Sequence, residues 1–251
     1  MPGRSAWDAE LRQLAMCLHG SAVLVPLRRK PDTSSKSDQI VGELPRVWAF
    51  HADDYQACGD EWLLNETERG RARGFWRSGD RARFVAGHVA LRRLLGAYLS
   101  VPPKTVDLIR LPCPLCGAPH GRPAVAGNSI HFSISYAASL ILIALARVPI
   151  GVDVEARVAP RIAGELGPLL HPREAAELHE QVGTEQAQAF TQAWTRKEAY
   201  LKGLGTGLAR DPSADYLGAT AGAPTDPAGW AVSDLVLEPG YAGAIAWATP
   251  Q

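Results

Sequence analysis

Three short apolar runs, Ser129–Ser135, Leu140–Ala146 and Gly151–Glu155, succeed one another with only brief turns between them. Runs of this size, bounded by turn residues such as Arg147-Val148-Pro149, predict strands in hairpin-like succession. Further strands are expected at Arg46–His51, Val106–Leu111, Trp230–Leu237 and Tyr241–Ala248. Helices fit Arg81–Leu99, Pro172–Gln181 and Glu185–Lys202. In the first of these, Phe84, His88, Leu91, Leu95 and Tyr98 recur at three- and four-residue steps, Ser78 or Asp80 can cap the start, and Pro102-Pro103 prevents any continuation. Helices interleaved with hairpin-like strands predict an α+β fold rather than a doubly wound parallel sheet.

A chain of 251 residues fits one large domain or two small ones. Residues 1–45 read as an extension, with an amphipathic piece ending near Gly20 and a linker-like composition from Arg28 to Gly42. The turn at Arg147-Val148-Pro149 divides the remainder into comparable halves, 46–148 and 149–251. The longest apolar stretch is only strand-sized, far short of the ~20 residues a membrane span needs. No long apolar core comes after Arg4, so no signal peptide is expected, and four scattered cysteines do not make a disulfide framework. The expected compartment is the cytoplasm.

Net charge is zero, which removes any whole-molecule bias toward nucleic acid or acidic surfaces. Locally, Arg69, Arg71, Arg73, Arg77, Arg81, Arg83, Arg92 and Arg93 face only Glu66, Glu68 and Asp80, a patch that could meet phosphates or simply be a solvated helix face.

Two clusters carry candidate chemistry. In GVDVE (Gly151–Glu155), strand alternation puts Asp153 and Glu155 on one side, while Val152 and Val154 pack behind. Two hard oxygen ligands suit Mg²⁺, although a solvent-facing edge with two acids would look the same. In FTQAWTRKEAYLKGLGTGL (Phe190–Leu208), four-residue steps align Trp194, Glu198 and Lys202, with Lys197 beside them and glycines closing the helix. The pattern admits a plain Glu198–Lys202 surface pair, or a metal or base role for Glu198 beside phosphate-binding lysines.

Together the clusters resemble the signature motifs of the Sfp-type 4′-phosphopantetheinyl transferases, a G-[VI]-D-[VI]-E strand and then a W-x-x-K-E-x-x-x-K helix. Gly121-Arg122-Pro123 resembles the family's G-[KR]-P, His131–Ser135 its H-F-N-I-S strand, Phe75–Arg93 its arginine-bearing first helix, and Pro239-Gly240-Tyr241 the start of its last strand. The resemblance spans roughly Arg46 to Ala248. It implies two similar α/β halves related by pseudo-twofold symmetry, with coenzyme A in the cleft between them. It implies transfer of phosphopantetheine to a serine of an apo acyl or peptidyl carrier protein by a monomeric enzyme, with Mg²⁺ held by Asp153, Glu155 and Glu198. Glu198 and Lys202 become the catalytic pair. Arg71, Arg83, Arg122, Pro123, Ser135, Tyr136, Lys197 and Lys202 become coenzyme A contacts. Tyr136 departs from the pattern, since the family usually has histidine there; a phenol lacks the positive charge.

Other readings make different demands. A nucleic-acid module built on the arginine patch leaves GVDVE and the lysine-bearing helix unexplained, and a nucleotide phosphotransferase of the Walker type would need a G-x-x-x-x-G-K-[ST] loop. A transferase fold kept only to bind carriers does not need the acids and lysines that remain. Finally, Cys113, Cys116 and His120 form C-x₂-C-x₃-H, three of the four ligands structural zinc uses, with Cys58 a distant fourth; a loop of free thiols is the simpler expectation.

Overall fold

The computed structural model describes residues 23–27, 45–55, 60–127, 130–220 and 222–250. The amphipathic piece near Gly20 and the linker from Arg28 to Gly42 lie outside them. In chain order the elements are β1 (Val23–Leu24), β2 (Arg46–His51), α1 (Glu66–Arg73), α2 (Ser78–Leu99), β3 (Leu108–Arg110), β4 (Pro123–Val125), β5 (His131–Ala137), β6 (Leu140–Ala146) and β7 (Ile150–Ala156). They continue with α3 (Pro160–Leu166), α4 (Pro172–His179), α5 (Gly183–Leu204), β8 (Trp230–Asp234) and β9 (Tyr241–Ala248). The α+β expectation holds.

Two antiparallel sheets carry the architecture, one ordered β1-β2-β6-β5 and the other β7-β9-β8; β3 and β4 form a separate ribbon. Every residue of β6 is buried because both faces of its sheet are covered. Ile141, Ile143 and Leu145 pack with Leu91 and Leu95 of α2, whereas Leu142 and Ala144 meet Val152, Val154 and Ile245 of the second sheet. The far face of that second sheet packs Val232, Ala244 and Ala246 against Ala199 and Tyr200 of α5. The layers therefore run α2, first sheet, second sheet, α5, which sets the odd residues of β7 against α5.

Several sequence expectations are corrected. Neither Ser78 nor Asp80 caps α2: Arg77 holds the cap position without a side-chain bond, and Asp80 instead pairs with Arg83. The helix does end before Pro102, at Ser100, whose φ of 56° reverses the chain. Short helices α1 and α3 were not anticipated, since neither carries a clear apolar stripe; the Asn65–Glu68 capping box was the available signal for α1. Val23–Leu27 is also no free extension. Leu24 pairs with Trp48, and Leu27 bridges to Leu235, so this segment ties the first sheet to the second.

The arginine patch is largely neutralised within the fold. Arg92 and Arg93 are buried against Glu68 (2.7 Å) and Asp60 (2.6 Å). Arg69 and Arg73 share Glu66, and Arg81 pairs with Glu61. Among the described residues, Arg71 and Arg77 are the members that form no ion pair.

Candidate active site

Gly151 begins the site. A Cβ there would overlap the carbonyl oxygen of Ala199 and the backbone nitrogen of Gly203, so only glycine lets β7 lie directly on α5. That contact brings Asp153 and Glu155 of the strand to Glu198 and Lys202 of the helix. Lys202 Nζ lies 2.6 Å from Asp153 Oδ1 and 3.0 Å from Ser135 Oγ, and Ser135 Oγ donates to the same carboxylate oxygen at 2.8 Å. Asp153 is only 3% exposed, and its Oδ2 has no hydrogen-bond partner.

The acids crowd one another. Burial, and then the Asp153 charge, pushes the Glu155 carboxyl up to about 7. Burial and the same neighbour raise Glu198, while burial raises Asp153 against the opposing pull of Lys202. One lysine thus faces three carboxyl groups, a site short of positive charge. The donor set, all hard oxygen with an orphaned buried Oδ2, fits Mg²⁺. The three carboxylates do not draw together within 4.8 Å; among the described residues, the group of metal-ligand types that does is Cys113, Cys116 and His120.

Next to Lys202 opens a cleft of about 260 Å³, lined by Arg110, His120, Arg122, Pro123, Ser133, Lys202, Gly205 and Gly207 among others. Arg122 Nη1 donates to Gly203 O at 2.9 Å and so bridges from the β3–β4 ribbon to the end of α5. Gly205 adopts φ 84°, which ends α5 and folds the chain back against Arg122.

The edge of β7 not paired with β9 faces β5. There the backbone N–H of Val152 donates to Ser133 Oγ (3.0 Å) and that of Val154 to Ser135 Oγ (3.4 Å). Ser133 was missed by sequence reasoning; its place two residues before Ser135 on a predicted strand was the available signal.

The remaining candidates lie elsewhere. Arg83 and Tyr136 line a second hollow with Phe75, Asp80 and Phe84, and the guanidinium of Arg71 sits 5.3 Å over the Phe84 ring. Arg83 is already engaged by Asp80 and the Ala138 carbonyl. Tyr136 is tucked against Gly87, where any side chain would collide with its ring, and its hydroxyl lies 3.2 Å from His88 Nδ1. Burial raises the Tyr136 phenol and pushes His88 down to about 4, so both are neutral near pH 7. Lys197 does not join the acids. It is 2% exposed and bonded 2.8 Å from Glu174, which is fully buried. Glu174 also accepts from the backbone of His171, Leu217 and Gly218, so this ion pair anchors a loop.

The profile of the 4′-phosphopantetheinyl transferase superfamily matches residues 149–225, which include β7 and α5. The chain is 31% identical over 230 residues to 4′-phosphopantetheinyl transferase HetI of Nostoc sp. strain PCC 7120, covering 88% of this chain and 92% of that one. The chain belongs to the 4′-phosphopantetheinyl transferase superfamily. Two further relatives match at lower identity. The 4′-phosphopantetheinyl transferase gsp of Aneurinibacillus migulanus is 28% identical over 131 residues, 51% of each chain. A 4′-phosphopantetheinyl transferase of Bacillus subtilis is 23% identical over 169 residues, 65% of this chain and 71% of that one. Among the described residues, no helix is long and apolar enough to cross a membrane.

Proposed function

We propose that this superfamily member transfers 4′-phosphopantetheine from coenzyme A to a serine of an apo acyl or peptidyl carrier protein, releasing adenosine 3′,5′-bisphosphate. The observation that carries the reading is the bond of Lys202 to the buried Asp153, whose Oδ2 is unpartnered, with Glu155 and Glu198 near enough to feel the same two charges. Asp153, Glu155 and Glu198 would hold Mg²⁺, which when bound neutralises the pyrophosphate oxygens of coenzyme A. Glu198, raised by burial, is suited to accept the proton of the attacking serine. Lys202, which lines the cleft, would steady charge on the departing phosphate.

Arg122 and Pro123 would form one wall for the pyrophosphate. Arg71 and Arg83, near Tyr136, would meet the 3′-phosphate end, with Arg71 the stronger candidate because it has no carboxylate partner among the described residues. Lys197 drops out as a coenzyme A contact on its placement. The layer order, a helix outside each of two sheets, supports reading residues 46–148 and 149–251 as two pseudo-symmetric halves. A cytoplasmic monomer is what the family resemblance implies.

The carrier belongs to a fatty-acid, polyketide or nonribosomal-peptide synthase; the enzyme acts as a holo-acyl-carrier-protein synthase in this broad sense. The test is incubation with coenzyme A, Mg²⁺ and apo carriers of all three kinds. A mass gain of one phosphopantetheine, abolished by chelation of Mg²⁺, is expected. No gain on any carrier, from a folded enzyme, would overturn the reading.

A further inference from the structure

We propose that Cys113, Cys116 and His120 form a binding site for a thiophilic divalent ion, zinc by its ligand chemistry, separate from the carboxylate cluster. Sequence spacing alone favoured a loop of free thiols; the fold changes that balance. Cys116 Sγ lies 3.0 Å from His120 Nε2, and the donor atoms of all three residues fall within 4.8 Å of one another. A tetrahedral ion with ordinary Zn–S and Zn–N lengths separates neighbouring donors by ~3.6 Å, so these atoms need only small shifts to seat one.

The backbone is built for it. Gly117, at φ 72°, turns the chain immediately after the second cysteine, and its N–H donates to Cys113 O at 2.8 Å. Cys113 N and His120 N both donate to Ala118 O at 2.8 Å, which closes the loop and returns His120 to the sulfurs. Packing does not explain the cluster, because Cys116 and His120 are exposed and only Cys113 is buried.

The loop ends are pinned by Gly121 N to Leu111 O and Leu111 N to Arg122 O, each 3.0 Å. An ion here would therefore hold the turn that presents Arg122 to the cleft, into which His120 also faces. Three protein ligands leave a fourth position for water. Cys58 lies outside the described residues and is not required.

The test measures metal rather than transfer, so it stands or falls independently of the proposed reaction. The full chain, purified with zinc present and dialysed, should hold one zinc per chain. Cys113→Ser/Cys116→Ser should weaken zinc by ~100-fold or more, beyond what loss of an outer hydrogen bond does to a metal site. Asp153→Ala should retain it. Cobalt bound to the wild-type chain should show thiolate charge-transfer and tetrahedral ligand-field bands, a readout that does not depend on the variants folding. Zinc content in the wild type no higher than in the double variant would overturn the proposal. So would cobalt spectra without thiolate bands, or a Cys113–Cys116 disulfide in protein kept under reducing conditions.

Discussion

Lys202 donates to Asp153 on the facing strand at 2.6 Å and leaves its own helical neighbour Glu198, one turn earlier, without an ion pair among the described residues. Four-residue spacing usually signals a surface pair along the helix. Here the lysine bridges two elements instead. Lys202→Met frees an Asp153 oxygen and so should not weaken Mg²⁺ binding, yet it should slow transfer ~10²-fold or more, the scale for removing a charge-stabilising group. Single-turnover rates across a magnesium titration measure both quantities. Wild-type rates would return Lys202 to the surface.

Glu198→Gln should differ in kind. On the proposed roles it would remove a proton acceptor and a cation ligand together, so transfer should fall ~10²-fold or more and part of the loss should recover at high Mg²⁺. The same titration reports it, and identical behaviour of the two variants would argue against separate roles.

The raised Glu155 makes a pH prediction. Its carboxyl titrates near 7 in the folded chain against a usual value of 4.5, so the folded state binds the extra proton between those limits. Its contribution to stability is fully present below about 4.5 and is lost as pH rises through 7. In metal-free buffer, the melting temperature of wild type relative to Glu155→Gln should decline from pH 5 to pH 8. Saturating Mg²⁺ should remove that decline. Referring to the variant cancels His88, whose depressed pKa acts in the opposite direction, costing stability as pH falls from 6.5 toward 4. A difference flat with pH would mean that Glu155 is not crowded.

Lys197→Met tests a structural role. It strands the fully buried Glu174 without its cation, and breaking such a pair costs about 3–5 kcal/mol. Denaturant unfolding should show that loss, while turnover of the folded fraction stays near wild type. A kinetic defect with unchanged stability would restore Lys197 to the phosphate site.

Much of the fold and the acid cluster was legible in the sequence because short-range periodicity fixes it. The strand phase of Gly151–Glu155 placed both acids on one side, and α5 emerged within a few residues of its expected bounds. What sequence could not supply was partner choice. Lys197 and Lys202 read alike in W-T-R-K-E-A-Y-L-K, yet one is buried by α4 and the other reaches β7. The arginines between Arg69 and Arg93 looked like a basic patch because Asp60 and Glu61, which take up two of them, lie just outside that stretch. Why glycine stands at 151 was equally hidden, since the obstacle is the backbone of a helix some fifty residues later.

The serine hydroxyls of β5 close the free edge of β7. Pulling the two sheets apart would leave the amides of Val152 and Val154 bare and deprive Asp153 of its Ser135 partner. Such a seam resists hinge motion, and a clamshell opening would dismantle the acid cluster each time it occurred. The cleft beside Arg122 and the acid cluster are thus tied to one and the same sheet-to-sheet seam, so widening one by parting the sheets would undo the other.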